Sequence, residues 1–200
     1  MNTTAVQKAY TISFCLAVLI AICSGWFGYV NVFLALNFDG GKWLDVAFTY
    51  ITYLGDGWIW AVALISVLLY NKRFWVLMVI TAAVSTIIAQ SFKLFIFNNQ
   101  PRPNKVIVDK LSFHTIEGVY LNDVGSFPSG HTTTAFCIYF LACILIPKKW
   151  IVPMGFIITT IVAYSRVYQA QHFPIDVAGG IVAAIISVYV SLYLTKKILK

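Results

Sequence analysis

Charged side chains are scarce in this chain of 200 residues. Aspartate, glutamate, lysine and arginine make up 10% of it, against about a quarter in soluble domains, whereas hydrophobic residues make up 60%. This composition excludes an ordinary soluble domain and predicts an integral membrane protein. The apolar runs are continuous rather than alternating, which argues against a transmembrane barrel and favours spanning helices of about 20 residues.

Acidic residues and cysteines are also few, and neither kind shows the spacing of a metal site. The seven acidic residues are scattered, and Cys15, Cys23, Cys137 and Cys143 all fall inside apolar runs. We interpret the cysteines as small core or lipid-facing residues, with the redox compartment left open. We expect no metal and no other cofactor.

The chain lacks a basic stripe on a soluble face, which a nucleic-acid-binding protein would need. Its net charge of +7 comes from clusters that end one apolar run or precede the next. This distribution is typical of the positive-inside rule for membrane proteins. We therefore expect a lipid bilayer around the protein and no nucleic-acid partner, and the oligomeric state stays open. The clusters are Lys72–Arg73, Lys148–Lys149, and Lys196, Lys197 and Lys200.

The apolar runs predict one membrane domain over residues 1–200, an all-α bundle of six transmembrane helices. The first run exceeds the roughly 7–15 residues of a signal-peptide core, so we expect it to be retained. Lys42 to Leu54 is amphipathic and rich in aromatic residues, and we expect it to lie in the membrane interface. The predicted spans cover about 10–36, 57–71, 74–93, 131–147, 150–166 and 174–195.

Six spans place both termini on one side of the membrane. With the termini in the cytosol, the basic clusters are cytosolic. We therefore expect an inner-membrane protein whose functional face is periplasmic or outward. That face would collect Lys93, Arg102, His131, Arg166 and His172, and all seven acidic residues (Asp39, Asp45, Asp56, Asp109, Glu117, Asp123 and Asp176).

The stretch from Ser165 to Asp176 concentrates polar groups in an otherwise apolar region. His172 is a candidate nucleophile, and Asp176, four residues later, could accept a hydrogen bond from one of its ring nitrogens. Arg166 is a candidate phosphate ligand. Taken singly, the alternatives are an interfacial histidine beside a helix-start aspartate, and an arginine that snorkels to the headgroups. We expect Pro174 in the first turn of the last helix.

Pro128-Ser129-Gly130-His131 comes directly before an apolar helix. Free backbone amides at a helix start form an anion site, and Gly130 allows close approach of an anion to the backbone. Ser129 could cap the helix or donate to phosphate, and His131 could act as a general acid. The alternative is an ordinary capped helix start with an interfacial histidine.

Two further cations precede this cluster. Lys93 ends the third predicted span, where lysine usually snorkels, and Arg102 lies between Pro101 and Pro103. Together with Arg166 they would balance the charge of a phosphoryl group.

The joint pattern resembles the type-2 phosphatidic acid phosphatase family, whose active site is similar to that of vanadium haloperoxidases. The family motifs are Lys-(spacer)-Arg-Pro, Pro-Ser-Gly-His, and Ser-Arg-(five)-His-(three)-Asp. The second matches fully at Pro128 to His131 and the third at Ser165 to Asp176. In the first, eight residues separate Lys93 from Arg102, where about six is usual.

This resemblance implies a metal-independent phosphatase. By it, His172 attacks phosphorus to give a phosphohistidine, Asp176 orients His172, and His131 protonates the leaving group and later activates water. The phosphate ligands that it implies are Lys93, Arg102, Ser129, Gly130 and Arg166.

The function expected from these motifs is hydrolysis of a membrane lipid phosphate or pyrophosphate. Undecaprenyl pyrophosphate, phosphatidylglycerol phosphate, phosphatidic acid and lipid A are the candidate substrates implied by the resemblance. The alternatives are a non-catalytic lipid-binding or transport protein and a vanadium haloperoxidase, although the apolar spans disfavour the latter. We expect the polar connection from Phe97 to Gly130 to be functional, and His114 within it to be solvated.

Overall fold

The computed structural model of the chain describes residues 3–198, and it confirms the predicted all-α class. Within these residues the only pairing of extended backbone is an isolated antiparallel bridge between Pro101 and Val124. Lys200, one of the basic residues behind the predicted orientation, lies outside the described residues. Nine α-helices lie within them: α1 (Thr3–Phe27), α2 (Tyr29–Leu36), α3 (Lys42–Ile51), α4 (Ile59–Asn71), α5 (Trp75–Ser91), α6 (Pro103–Val106), α7 (Gly130–Leu145), α8 (Ile151–Tyr168) and α9 (Pro174–Ile198).

The first apolar run forms two helices instead of the single span predicted over 10–36. α1 ends at Phe27 and α2 begins at Tyr29. Gly28 between them has φ +83°, a left-handed conformation that glycine adopts without steric cost and that interrupts an α-helix. α1 alone has 25 residues, a length of about 37 Å at the usual helical rise, and therefore exceeds the hydrocarbon core.

Four helical segments among the described residues are long and apolar enough to cross a membrane: Thr4–Phe27, Ile59–Ile96, Ile151–Tyr168 and Pro174–Ile198. A further apolar helix, Gly130–Leu145, is shorter. The segment Ile59–Ile96 contains the spans predicted over 57–71 and 74–93, and the 3₁₀ turn Lys72–Phe74 separates α4 from α5 within it. The protein is thus an integral membrane helical protein with four candidate spans, and the count of six stays a prediction.

Helices α7 and α9 pack against each other at the centre of the bundle, and both also contact α1, α5 and α8. Small residues allow this close approach: a Cβ atom on Gly180 of α9 would lie 2.7 Å from the carbonyl oxygen of Ser129. Small residues at helix contacts are typical of membrane bundles. The contact holds the start of α7 against the first turns of α9, where two of the sequence motifs lie.

The connection from Phe97 to α7 packs back onto the bundle. Arg102 N–H donates to the carbonyl of Asp123, and Ser126 N–H donates to that of Gln100, so the two ends of the connection are tied together. The expectation that His114 is solvated is wrong. Its Nε2 lies 2.8 Å from Asp45 Oδ1 of α3, and its ring contacts the ring of Tyr168 at the end of α8.

Candidate active site

The predicted site residues meet at one end of the bundle. The start of α7 contacts the start of α9 through a hydrogen bond from Ser129 N–H to the carbonyl of Asp176 (3.0 Å). The connection joins them through Arg102, whose Nη1 donates to the carbonyl of Gln171 (3.1 Å). The structure brings together Arg102, Ser129, Gly130, His131, Arg166, His172 and Asp176.

A tight turn between α8 and α9 places His172. The backbone amides of Gln171 and His172 both donate to the carbonyl of Arg166 (2.9 and 3.2 Å), and Ala170 has a positive φ of 54°. Pro174 begins α9, as predicted, because its fixed φ suits the first helical turn and its missing N–H is not needed there. The turn buries His172, whose exposed fraction is 2%.

Asp176 lies beside His172, but their contact is weaker than predicted. His172 Nδ1 is 3.4 Å from Asp176 Oδ2, and this nitrogen has no hydrogen-bond partner among the described residues. The same carboxylate oxygen accepts hydrogen bonds from Ser126 Oγ and from Phe173 N–H (2.8 Å). Two neutral donors therefore satisfy the buried carboxylate, and the histidine ring lies next to it without the predicted hydrogen bond.

The surroundings of His172 favour its neutral form. Burial lowers the pKa of His172 well below its usual range, and the positive charges of Arg102, Arg166 and Lys93 act in the same direction. A neutral imidazole has a lone pair on one ring nitrogen, which is the requirement for nucleophilic attack.

At the start of α7, Ser129 caps the helix, as predicted. Its Oγ accepts from Thr132 N–H (3.4 Å) and from Thr132 Oγ1 (3.0 Å), and the residue is fully buried. No acceptor for the backbone amides of Gly130 and His131 is found within residues 3–198. These two amides, rather than the Ser129 hydroxyl, are the groups available to an anion.

Arg166 is inside the protein and does not snorkel. Its Nη1 donates to Thr52 Oγ1 (2.6 Å) and to Gln169 Oε1 (3.1 Å). Its Nε is buried and has no partner among the described residues. A buried guanidinium with an unpaired N–H favours an oxyanion as its partner.

Arg102 makes more hydrogen bonds than Arg166. Its Nε donates to the carbonyl of Val124 (3.0 Å), and its Nη1 donates to both oxygens of Gln171, backbone and side chain. These bonds fix the guanidinium between the connection and the turn that carries His172.

Lys93 lies in a five-residue π-helical segment, Phe92–Ile96, that extends α5. The segment is closed by a hydrogen bond from Phe97 N–H to the carbonyl of Phe92. A π turn holds more residues than an α turn, and such turns are frequent at functional sites. The ammonium group lies within electrostatic range of Arg102, Arg166 and Asp176.

Asp56 and Thr52 also contact the site, although neither belongs to a motif. Asp56 Oδ1 lies 2.6 Å from His131 Nε2, and Thr52 Oγ1 accepts a hydrogen bond from Arg166. Thr52 begins the 3₁₀ turn Thr52–Gly55, and Asp56 directly follows it. In the sequence, Gly55-Asp56-Gly57 indicates only a turn between apolar segments, so the contact with His131 is visible only in three dimensions.

Two cavities adjoin the site. A mixed polar and apolar cavity of about 180 Å³ lies between the Gly55–Gly57 turn, α5 and the start of α7, and Asp56 and His131 both line it. An apolar groove of about 260 Å³ runs between α1, α5 and α9 and reaches Phe127 and Pro128, directly before Ser129.

Comparison with known proteins places these features in a family. The sequence profile of the PAP2 superfamily matches residues 74–200. The undecaprenyl-diphosphatase of Sulfolobus acidocaldarius is 24% identical over 161 residues, which cover 76% of this chain and 70% of that protein. The bacitracin transport permease protein BcrC of Bacillus licheniformis is 31% identical over 116 residues, covering 56% of this chain and 52% of that protein.

Two solved structures are similar to most of this chain. LpxE of Aquifex aeolicus superposes with a TM-score of 0.70 at 30% identity, over 82% of this chain and 93% of that one. A transmembrane PAP2-type phosphatidylglycerolphosphate phosphatase of Bacillus subtilis superposes with a TM-score of 0.65 at 22% identity, over 96% of both chains. At that identity the second comparison bears on the fold alone.

Proposed function

This chain belongs to the PAP2 superfamily, and on that premise we propose that it removes phosphate from a membrane lipid through a phosphohistidine intermediate. The observation that carries the proposal is the position of His172. A buried, neutral imidazole lies against Asp176, among the charges of Arg102, Arg166 and Lys93. This is the environment that a histidine nucleophile and an incoming phosphate require together.

In the first step, His172 Nε2 attacks phosphorus. The Nδ1 side of the ring faces Asp176, which leaves Nε2 as the attacking atom. The N–P bond forms as the bond from phosphorus to the leaving oxygen breaks. Asp176 orients the ring and stabilises the positive charge that the imidazole gains.

The phosphoryl oxygens are held by cations and amides. Arg166 offers its unused Nε, and the amides of Gly130 and His131 supply donors at the start of α7. Arg102 and Lys93 add positive charge, which spreads over the equatorial oxygens in the transition state. Ser129 supports this site as the cap of α7 rather than by direct contact.

His131 acts as the general acid and then as the general base. It gives a proton to the leaving oxygen in the first step and takes one from water in the second. The water oxygen then attacks phosphorus, the N–P bond breaks, and inorganic phosphate leaves with His172 regenerated. The products are the lipid alcohol, or the lipid phosphate from a diphosphate, and phosphate.

We propose that no metal takes part, because three cations already supply the charge that a metal would bring. Turnover should be unchanged in the presence of a strong chelator. Inhibition by the chelator that a divalent ion restores would contradict this part of the scheme. Vanadate should inhibit competitively, because it mimics the trigonal phosphoryl group of the transition state.

A lipid substrate is favoured by the position of the apolar groove. It opens between spanning helices and ends beside the start of α7, so an acyl or prenyl chain could lie there while its phosphate reaches His172. We propose an inner-membrane location with cytoplasmic termini and the site at the outer face. Undecaprenyl pyrophosphate, phosphatidylglycerol phosphate, phosphatidic acid and lipid A are the substrate classes to be compared.

A non-catalytic transport function is the second candidate, because one relative of this chain carries the name of a bacitracin transport permease protein. Both histidines and Asp176 are present and assembled in this chain, which favours hydrolysis. Transport without hydrolysis would need none of these groups.

The test is phosphate release by the purified protein in detergent, with chelator present, across the four lipid classes. Wild type should release phosphate from at least one of them, and His172→Ala from none. Thr159→Val is a control in α8, because this buried hydroxyl donates to the carbonyls of Gly155 and Phe156 in its own helix and Thr159 belongs to none of the motifs. Wild type that binds lipid but releases no phosphate from any class would contradict the proposal and support transport.

A further inference from the structure

We infer that Asp56 is the positioning residue of His131: its carboxylate accepts a hydrogen bond from Nε2–H and so selects Nδ1 as the nitrogen that exchanges a proton with the substrate. This inference rests on the proposed function, which assigns His131 the acid–base role. None of the three sequence motifs contains Asp56.

The geometry of the pair is specific. Asp56 Oδ1 lies 2.6 Å from His131 Nε2, within the range of a short, charge-assisted hydrogen bond. The preceding residue makes this approach possible, since a Cβ on Gly55 would lie 2.9 Å from both the Cβ and the carbonyl oxygen of His131. The glycine lets the turn contact the backbone of α7, and the next side chain then reaches the imidazole.

The same turn also holds a second site residue. Thr52 Oγ1 accepts a hydrogen bond of 2.6 Å from Arg166 Nη1, and the carboxylate of Asp56 is attracted by that guanidinium. One short segment thus contacts both the residue assigned to bind phosphate and the residue assigned to donate the proton. This double contact distinguishes the segment from a simple connection between helices.

The pairing determines the proton chemistry of His131. An ionised carboxylate can only accept, so the proton of the shared hydrogen bond belongs to Nε2. Nδ1 is then the nitrogen that gives its proton to the leaving oxygen as the P–O bond breaks, and that takes one from water as the N–P bond is hydrolysed. Burial and the charge of Arg166 disfavour the imidazolium form that the first step requires, and the carboxylate of Asp56, in contact with the ring, is the negative charge that opposes them.

The pair also opens onto space for a leaving group. Asp56 and His131 line the cavity of about 180 Å³ between α5 and the start of α7, together with Ser85, Thr86 and Gln90. Their side chains are 31% and 26% exposed, so a substrate oxygen and water can reach them. Burial raises the pKa of Asp56, and Arg166 opposes this shift.

The inference predicts a dependence on the leaving group. Nitrophenolate leaves phosphorus without much help from an acid, whereas the alkoxide of an alkyl phosphate needs protonation of its oxygen as it leaves. The experiment compares kcat/KM, which reports the first phosphoryl transfer, for an amphiphilic nitrophenyl phosphate and an alkyl phosphate of equal chain length. In Asp56→Asn we expect kcat/KM for the alkyl ester to fall by about 10²–10³, within the usual contribution of a general acid, and for the nitrophenyl ester by less than about tenfold.

Equal losses with both esters in Asp56→Asn would overturn the inference, and so would no loss with either. Asp45→Asn is the matched control, because Asp45 also pairs with a histidine, His114, but belongs to no proposed step. This variant should change kcat/KM for the two esters by the same factor. If Asp56→Asn does not fold, Asp56→Glu, which keeps the charge, takes its place, and its longer side chain should again affect the alkyl ester more; equal losses in this variant overturn the inference as well.

This design separates the inference from the proposed function. Wild type that hydrolyses neither ester nor any lipid would contradict the proposed function. Wild type that hydrolyses both esters, together with an Asp56→Asn variant without leaving-group dependence, would contradict the role of Asp56 alone.

Discussion

Two histidine–aspartate pairs lie in this site, and they differ in nearly every physical respect. His172 and Asp176 are almost fully buried, lie 3.4 Å apart and come from one turn of the chain. His131 and Asp56 are partly exposed, lie 2.6 Å apart and come from α7 and from a distant turn. The sealed pair suits a nucleophile kept neutral, and the open pair suits an acid that must exchange protons with substrate and water.

The two carboxylates are also stabilised differently. Asp176 accepts hydrogen bonds from Ser126 and from a backbone amide, and the ring nitrogen of its histidine lies 3.4 Å away without a hydrogen bond. Asp56 makes its short contact directly with the histidine. A buried carboxylate without donors would cost several kcal/mol, so the neutral donors around Asp176 are needed for folding as well as for orientation.

The largest effect should come from His172→Ala. Removing the nucleophile should lower kcat by roughly 10⁴ or more, because no other group can form the covalent intermediate. His131→Ala should keep the nucleophile and lose only about 10²–10⁴. Phosphate release and trapping of the phosphoenzyme with a nitrophenyl phosphate measure the difference. A phosphoenzyme trapped in His172→Ala would mean that another residue is the nucleophile.

The next largest loss of activity is expected for Asp176→Asn. We expect a loss in kcat of roughly 10²–10⁴ with KM changed much less, since the residue orients the nucleophile instead of binding phosphate. Ser126→Ala, which removes one donor to the same carboxylate oxygen, is the graded comparison and should lose less. A change confined to KM in Asp176→Asn would contradict the orienting role.

A smaller effect is expected for Thr52→Val. The variant keeps the side-chain shape but removes the hydrogen bond to Arg166, and loss of a bond to a charged group costs about 1.5–3 kcal/mol. Weaker binding of competing vanadate should follow. Thr81→Val is the matched control, because this buried hydroxyl donates only to the carbonyl of Leu77 in its own helix. Equal vanadate affinity in both variants would show that Thr52 does not position Arg166.

The smallest catalytic effect is expected for His114→Ala, which leaves both pairs intact. Loss of the contact with Asp45 and of the packing on Tyr168 should lower the free energy of unfolding by about 1–2 kcal/mol. Thermal unfolding in detergent measures this change against Lys105→Ala, an exposed residue of the same connection. Unchanged stability, or a large loss of kcat in the folded variant, would contradict a purely structural role.

Local signals predicted much of the fold around the site. The apolar runs and the cap at Ser129 gave boundaries for α7, α8 and α9 within a few residues of those observed. Capping and the start of α9 at Pro174 depend on neighbouring residues, and the sequence shows these directly. The break at Gly28 was missed, because a glycine inside an apolar run does not reveal its φ angle.

The features of the site also divide into those that the local sequence predicts and those that depend on tertiary contacts. The sequence alone determined the residues of the two complete motifs and the short separation of His172 and Asp176, because a turn of the chain brings them together. Only the tertiary structure decided that His114 pairs with Asp45, that Asp56 meets His131, and that Thr52 binds Arg166. Those contacts join segments far apart in the chain, and they form only when the elements that carry them pack against one another.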